Sequence, residues 1–212
     1  QELNFISEKG LDSAFVGGTL LNYAAFQDIP EIVDALLKKG ARIDILGTQE
    51  FSAGGNALHA ALRWVGRSGE MLPFLLDKAP RDQINTAVNG VNFLRKTPLH
   101  LASSELDKKA VRLLLAYGSN VNAVDKDNKT PLDYVHEGIE KLRVELRAPV
   151  SGADAAAVAE DNHENAEKLR QAEYSAERII KRLTKAGGKR FADLGTPPAR
   201  RGIAGFLSRN RQ

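Results

Sequence analysis

The chain has 212 residues, 42% hydrophobic and 27% charged, which is enough apolar material to bury a core and too much for a disordered chain. It has no cysteine, which excludes disulfides and thiolate chemistry, and no apolar run approaches the roughly 20 residues of a membrane span. The net charge of +3 conceals a split: residues 178–212 hold ten Lys and Arg against Asp193 alone, a net +9, and the residues before them carry −6.

From the N-terminus, Leu3, Phe5 and Ile6 followed by Gly10-Leu11-Asp12 read as the second helix and exit turn of a helix pair whose first helix is missing. The chain begins at Gln1, inside that unit, and this points to an excised or processed piece of a longer protein. A full unit follows. Thr19 caps a helix through Leu20-Leu21-Asn22-Tyr23-Ala24-Ala25, and a second apolar face, Ile32, Val33, Leu36 and Leu37, stops at Gly40. The next unit begins at Asn56-Ala57-Leu58-His59, has a longer join around Val65-Gly66-Arg67-Ser68-Gly69, and continues through Leu72, Phe74, Leu75 and Leu76. Ala79-Pro80 ends that helix, since proline cannot continue one. Its exit is read as Gln83-Ile84-Asn85.

The third unit is the clearest. Thr97 caps, Pro98 suits the first turn where no N–H is needed, and Leu99-His100-Leu101-Ala102 starts the apolar face. Ala110, Val111 and Leu113 to Leu115 form the second helix, closed by Gly118 and followed by Ser119-Asn120-Val121-Asn122. A fourth start, Thr130-Pro131-Leu132-Asp133, leads into a pattern with no helix-ending glycine until Gly187. The spacing predicts one helix over 131–147, a break at Pro149 to Gly152, and a return helix over 163–186; Ala153 to Ala159 reads as either loop or further helix. The four starts are 37, 41 and 33 residues apart, and two short helices with a turn cannot bury both their faces alone, so they read as members of a stack.

Thr97-Pro98-Leu99-His100-Leu101-Ala102 with the following Gly118 and Val121-Asn122 closely resembles an ankyrin repeat. The resemblance implies an all-α ankyrin-repeat solenoid: a partial repeat in 1–17, three repeats in 18–129, a fourth in 130–188 expanded by an inserted helical hairpin, and a basic cap or tail in 189–212. It also implies that the capping histidines tie neighbouring turns, a role Asn22 can share because its amide also donates. The turns project as fingers and the first helices line a concave palm across which partners lie. Fingers 45–55 and 86–96 read as enlarged by four residues relative to the last.

The expected function is therefore a non-enzymatic scaffold that binds another protein. The candidate contacts are Phe51, Arg63, Trp64, Arg67, Phe93, Leu94 and Arg95, because exposed aromatics and arginine anchor interfaces. Phe51 and Phe93 folded back on their own hairpins is the competing reading. Near Trp64 the core is read as supplied by Leu58, Ala61 and Leu62. Two alternatives stay open: nucleic acid or anionic lipid held through residues 178–212, and a targeting module of a larger enzyme or bacterial effector. Ile203, Phe206 and Leu207 fall at i, i+3 and i+4, a short amphipathic helix that either covers the end of the stack or meets a partner. No catalytic, cofactor or metal site is expected. His136 and His163 lack ligand spacing, and Glu160, Asp161 and Glu164 read as acids at the positive end of the return helix. A cytoplasmic location is favoured, with the periplasm or secretion left open.

Overall fold

The computed structural model describes residues 18–47, 54–63, 69–146 and 155–194, the side chains of 155–163 excepted. The partial unit in 1–17, the break at 149–152 and the tail motif around Ile203, Phe206 and Leu207 lie outside these residues, as do Phe51, Trp64 and Arg67. Among the described residues all regular structure is helical: α1 Leu20–Phe26, α2 Pro30–Lys38, α3 Ala57–Leu62, α4 Met71–Lys78, α5 Arg81–Ala87, α6 Pro98–Ser104, α7 Lys108–Ala116, α8 Pro131–Glu145 and α9 Ala155–Lys185, with a 3-10 turn at Phe191–Asp193. Helices α1, α3, α6 and α8 pack in sequence as an inner row, and α2, α4, α7 and α9 as an outer one. Leu21, Leu58, Leu99 and Val135 from the first row meet Val33, Leu75, Leu114 and Ile179 from the second, all fully buried. This is the all-helical stack that the resemblance implies.

The inner helices start where capping chemistry dictates. Thr19, Asn56, Thr97 and Thr130 are the four N-caps, each extended at ψ near 160–190° in the allowed β region, and all are buried. Three outer helices end alike: Gly40, Gly118 and Gly187 have φ of 90°, 82° and 85°. The residue after each donates back five positions, Ala41 to Leu36, Ser119 to Leu114 and Gly188 to Leu183. Asn89 and Asn122 then stitch these turns together. Asn89 donates to the Gly118 carbonyl at 3.2 Å and accepts from the Asn120 N–H at 2.7 Å, while Asn122 does the same with Gly187 at 3.0 Å and Lys189 at 2.8 Å.

Those bonds correct the sequence reading at one place. Val88-Asn89, not Ile84-Asn85, is the counterpart of Val121-Asn122, so the second finger is no longer than the third. The four extra residues are wound into α5, whose Ile84 and Ala87 are buried one turn apart and whose Gln83 accepts from the Ile43 N–H at 3.2 Å. Pro80 stops α4 and caps the start of α5. The return helix starts at Ala155, so the stretch from there to Ala159 takes the helical alternative that the sequence left open. Glu160, Asp161 and Glu164 therefore lie past its first turn, which holds no acid, and the helix-dipole reading of that cluster does not apply.

Two buried histidines tie units together. His59 Nε2 donates to the Lys96 carbonyl at 2.9 Å and His100 Nε2 to the Lys129 carbonyl at 3.2 Å, while their Nδ1 atoms accept the Asn56 and Thr97 N–H groups. A carbonyl partner requires the proton on Nε2 and an N–H partner requires a bare Nδ1, so both rings are neutral. Asn22 does not share this role: its amide is buried without a partner among the described residues.

Burial lowers the His59 pKa from 6.5 to about 4, against the opposing pull of its bond to Lys96, and lowers His100 in the same direction. As pH falls the unfolded chain takes up the proton first. Stability is complete above the unfolded value of 6.5 and drains away towards the folded one, by on the order of 3 kcal/mol for His59. Urea unfolding midpoints should fall between pH 7 and pH 4.5, and His59→Gln, which cannot take the proton, should flatten part of that slope; an unchanged slope in the variant counts against the tie. Asn122→Ala should cost about 1–2 kcal/mol and speed hydrogen exchange at the Lys189 amide, since two bonds across the turn are lost.

Candidate functional site

The second and third fingers share one internal construction. Asn92 accepts the N–H groups of Leu94 and Lys96 at 3.0 and 2.9 Å, and 33 residues later Asp125 accepts those of Asp127 and Lys129, both at 2.9 Å. Each turn thus closes on one side-chain oxygen. Asp125 also takes the Tyr134 hydroxyl at 2.6 Å. Burial pushes the Asp125 pKa up, but the bonds from Tyr134, Lys129 and Asp127 outweigh it, so the carboxylate stays charged below its usual range. Tyr134, beside that charge and buried, is pushed well above its ordinary value. The two fingers are joined by the Lys126 N–H donating to the Leu94 carbonyl at 2.9 Å.

Three consecutive residues at the tip of the second finger point in three directions. Phe93 lies against the backbone of Gly54 in the preceding finger, where a Cβ would overlap its ring, and it keeps 47% of its surface exposed. It does not fold back on its own hairpin. Leu94 lines the concave side. Arg95 lines the opposite side with Asn89, Val91 and Val124, and its backbone sits at φ 59°, a left-handed conformation that strains a long side chain. The counterpart of Arg95 in the next finger is Asn128, at φ 58°, a residue type that tolerates it.

On the concave side a cavity of about 240 Å³ opens between this finger and the inner helices. Leu62 from α3, Leu101 from α6 and Leu94 from the finger form its apolar part; Arg63, Lys96 and Glu105 supply charge. Of the seven residues expected to form one contact surface, the structure brings Arg63 and Leu94 together here. Phe93 and Arg95 lie on the finger ridge apart from this cavity, and Phe51, Trp64 and Arg67 fall outside the described residues. Leu62, assigned to the core from sequence, is half-buried: it packs against the core and also lines this cavity. Leu101 and Glu105 were not anticipated, and their signal was positional: Leu101 lies on the first helix of its unit, on the side away from buried Leu99 and Ala102, and Glu105 follows one turn later as its C-cap.

Among the described residues no three His, Asp or Glu side chains converge as metal ligands. His136 lines a groove with Glu140 and Glu177 at the far end of the stack.

A family model for the ankyrin repeat matches residues 95–126, the span from the tip of the second finger through α6 and α7 to the tip of the third. Ankyrin repeat protein R96 of Acanthamoeba polyphaga mimivirus is 35% identical over 104 residues, 49% of this chain. The nuclear factor NF-kappa-B p105 subunit of Gallus gallus is 34% identical over 90 residues, 42% of this chain. The matched stretch spans 9% of the length of each. The capped inner helices, the histidine ties and the 33-residue recurrence of the finger turns describe the same object as these matches, and the chain is an ankyrin-repeat protein.

Proposed function

We propose that the chain is a non-enzymatic scaffold that holds a partner protein in the concave cavity between the second finger and α3 and α6. Ankyrin repeats as a class mediate protein-protein interaction. The observation that carries the finer reading is the exposure of Leu94, 46%, over a cavity whose remaining apolar wall is Leu62 and Leu101. A leucine held out on a turn that is closed by Asn92 is preorganised, so a partner side chain entering beside it gains burial without the cost of ordering the loop. Arg63, Lys96 and Glu105 at the same cavity favour a contact of mixed charge around an apolar centre, the usual anatomy of a protein interface. Phe93 and Arg95 extend the proposed contact along the finger ridge, and Phe51, Trp64 and Arg67 belong to it on the strength of residue type and position in the repeat.

The unit built on α8 and α9 is proposed to be a repeat lengthened by a helical hairpin. Gly187 occupies the same stitched turn as Gly118, and α9 runs 31 residues where α7 runs 9. Its inner helix carries Asp133 where His100 stands, and this acid accepts from the Phe191 N–H at 2.8 Å and from Arg190 Nε at 2.9 Å. Residues 189–191 thereby close the edge that a further finger occupies elsewhere.

Affinity capture from cells of the native host, quantified by mass spectrometry, tests the cavity. Leu94→Asp should remove the species that the unaltered chain retains and leave the melting temperature within the shift expected of about 0.5 kcal/mol, as for other exposed positions. Val144→Asp, at a site 71% exposed and away from the cavity, should retain them. Equal capture by all three proteins would place the partner elsewhere.

A further inference from the structure

Arg178, Lys181, Arg182 and Lys185 fall at i, i+3, i+4 and i+7 of α9 and form one row on the side away from its buried Ala176, Ile179 and Leu183. They line a shallow groove of about 210 Å³. The row is extended by another unit. Lys108, on α7, places its ammonium 4.9 Å from the centre of the Tyr174 ring, and the Arg178 guanidinium lies 5.7 Å from the same ring. The aromatic, 52% exposed, thus gathers cations from two helices remote in sequence.

These five cations form no ion pair among the described residues. Pairing is otherwise common on the same two helices: Lys168 with Glu164, Arg170 with Glu167, and Lys109 with Glu70. From Arg178 to Lys185 the chain contains no acid, and Glu177 lines the groove at the end of the stack with His136 and Glu140. The carbonyl end of α9 offsets part of the repulsion within the row.

We propose that this row docks the protein on an anionic phospholipid surface. The row has no apolar seam, so it gains nothing from burial and needs a partner with dense fixed negative charge. It runs straight along about 10 Å of one helix on the outer layer of the stack, so all its charges touch a flat layer at once. The Tyr174 ring is already engaged by two cations and is not free to stack on a base, which disfavours single-stranded nucleic acid. A tyrosine held among cations suits the polar boundary of a bilayer.

The test is sedimentation of the whole chain with vesicles of phosphatidylcholine alone, or with about 30% phosphatidylserine, across a salt series. Binding should require phosphatidylserine and weaken steeply with salt. Replacing Arg178, Lys181, Arg182 and Lys185 by Gln should lower the partition at least about 100-fold with the thermal melt unchanged. Should that protein fail to fold, the Lys181→Gln, Lys185→Gln pair, both exposed, should still lower it about 10-fold. Replacing Arg200, Arg201, Arg209 and Arg211 by Gln should leave most of the binding in place. Equal binding to neutral vesicles, loss of binding in the tail variant alone, or binding to a single-stranded oligonucleotide without binding to anionic vesicles would each overturn the proposal.

Discussion

One contact recurs between the middle units and sets their register together with the Asn89 and Asn122 bonds across the turns: a neutral imidazole under one unit donating to a carbonyl at the base of the next finger. A helix pair of this size buries one face and leaves the other to its neighbour, so apolar packing brings units together without fixing their register. The bond from His59 to Lys96, and its repeat from His100 to Lys129, supplies part of that register, because each spans from the cap of one inner helix to the residue just before the next cap. The same ring holds the cap N–H on its other nitrogen. Cap, helix and finger are thereby locked to one another by a group that can do so only while uncharged, and burial keeps it uncharged.

The ends of the described stack differ from its middle in the chemistry of this one position. At the first unit Asn22 is buried with no partner among the described residues, and the bonds that join it to the second unit there include the Ile43 N–H to Gln83 and the Ala57 N–H to the Ile43 carbonyl. At the last, Asp133 converts the donor position into an acceptor and takes a backbone N–H, a guanidinium and the Thr130 hydroxyl. Burial pushes the Asp133 pKa up, but the N–H of Thr130, Arg190 and Phe191 more than reverse this, so the acid stays charged. The outward face of the last pair changes character as well. Fully buried Ser103 and Val111 have as their counterparts half-buried His136 and Ile180, which line a groove with Glu140, Arg143 and Glu173. Charge on a face that is apolar elsewhere discourages another unit from stacking there.

What the sequence made legible was whatever is decided locally. A threonine or asparagine before an apolar run, and a glycine that must adopt positive φ, act within a turn of helix, and all four starts and three exits are where such residues stand. What was not legible depends on side chains meeting across units. Ile84-Asn85 and Val88-Asn89 are equally good exit turns by residue type, and only the bond from Asn89 to Gly118 selects the second. Leu62 reads as core by hydropathy and does pack against the core, but that it also lines the cavity could not be read from the sequence. The cations of α9 were visible as a charge run, whereas the arrival of Lys108 on Tyr174 was not, since nothing in either segment refers to the other. The start of α9 is a third case: alanine-rich sequence is by propensity alone neutral between helix and loop.

The two surfaces on this molecule suit different kinds of discrimination. The concave cavity mixes Leu94 with Arg63 and Glu105, and a mixed-sign site rejects partners that misplace a charge by leaving a buried group unpaired, which costs far more than a good contact gains. The outer row of α9 carries one sign and no apolar residue, so any selection by it among dense anions would rest on shape and charge density. Arg95 lies between these regimes. It holds a strained backbone conformation that asparagine occupies comfortably one finger later, and the neighbouring Asn92 turn enforces the geometry whatever the side chain. A long cation at a position where the fold prefers a short polar residue is not there to stabilise the finger, and its physical consequence is a positive charge projected from the ridge between the cavity side and the next turn.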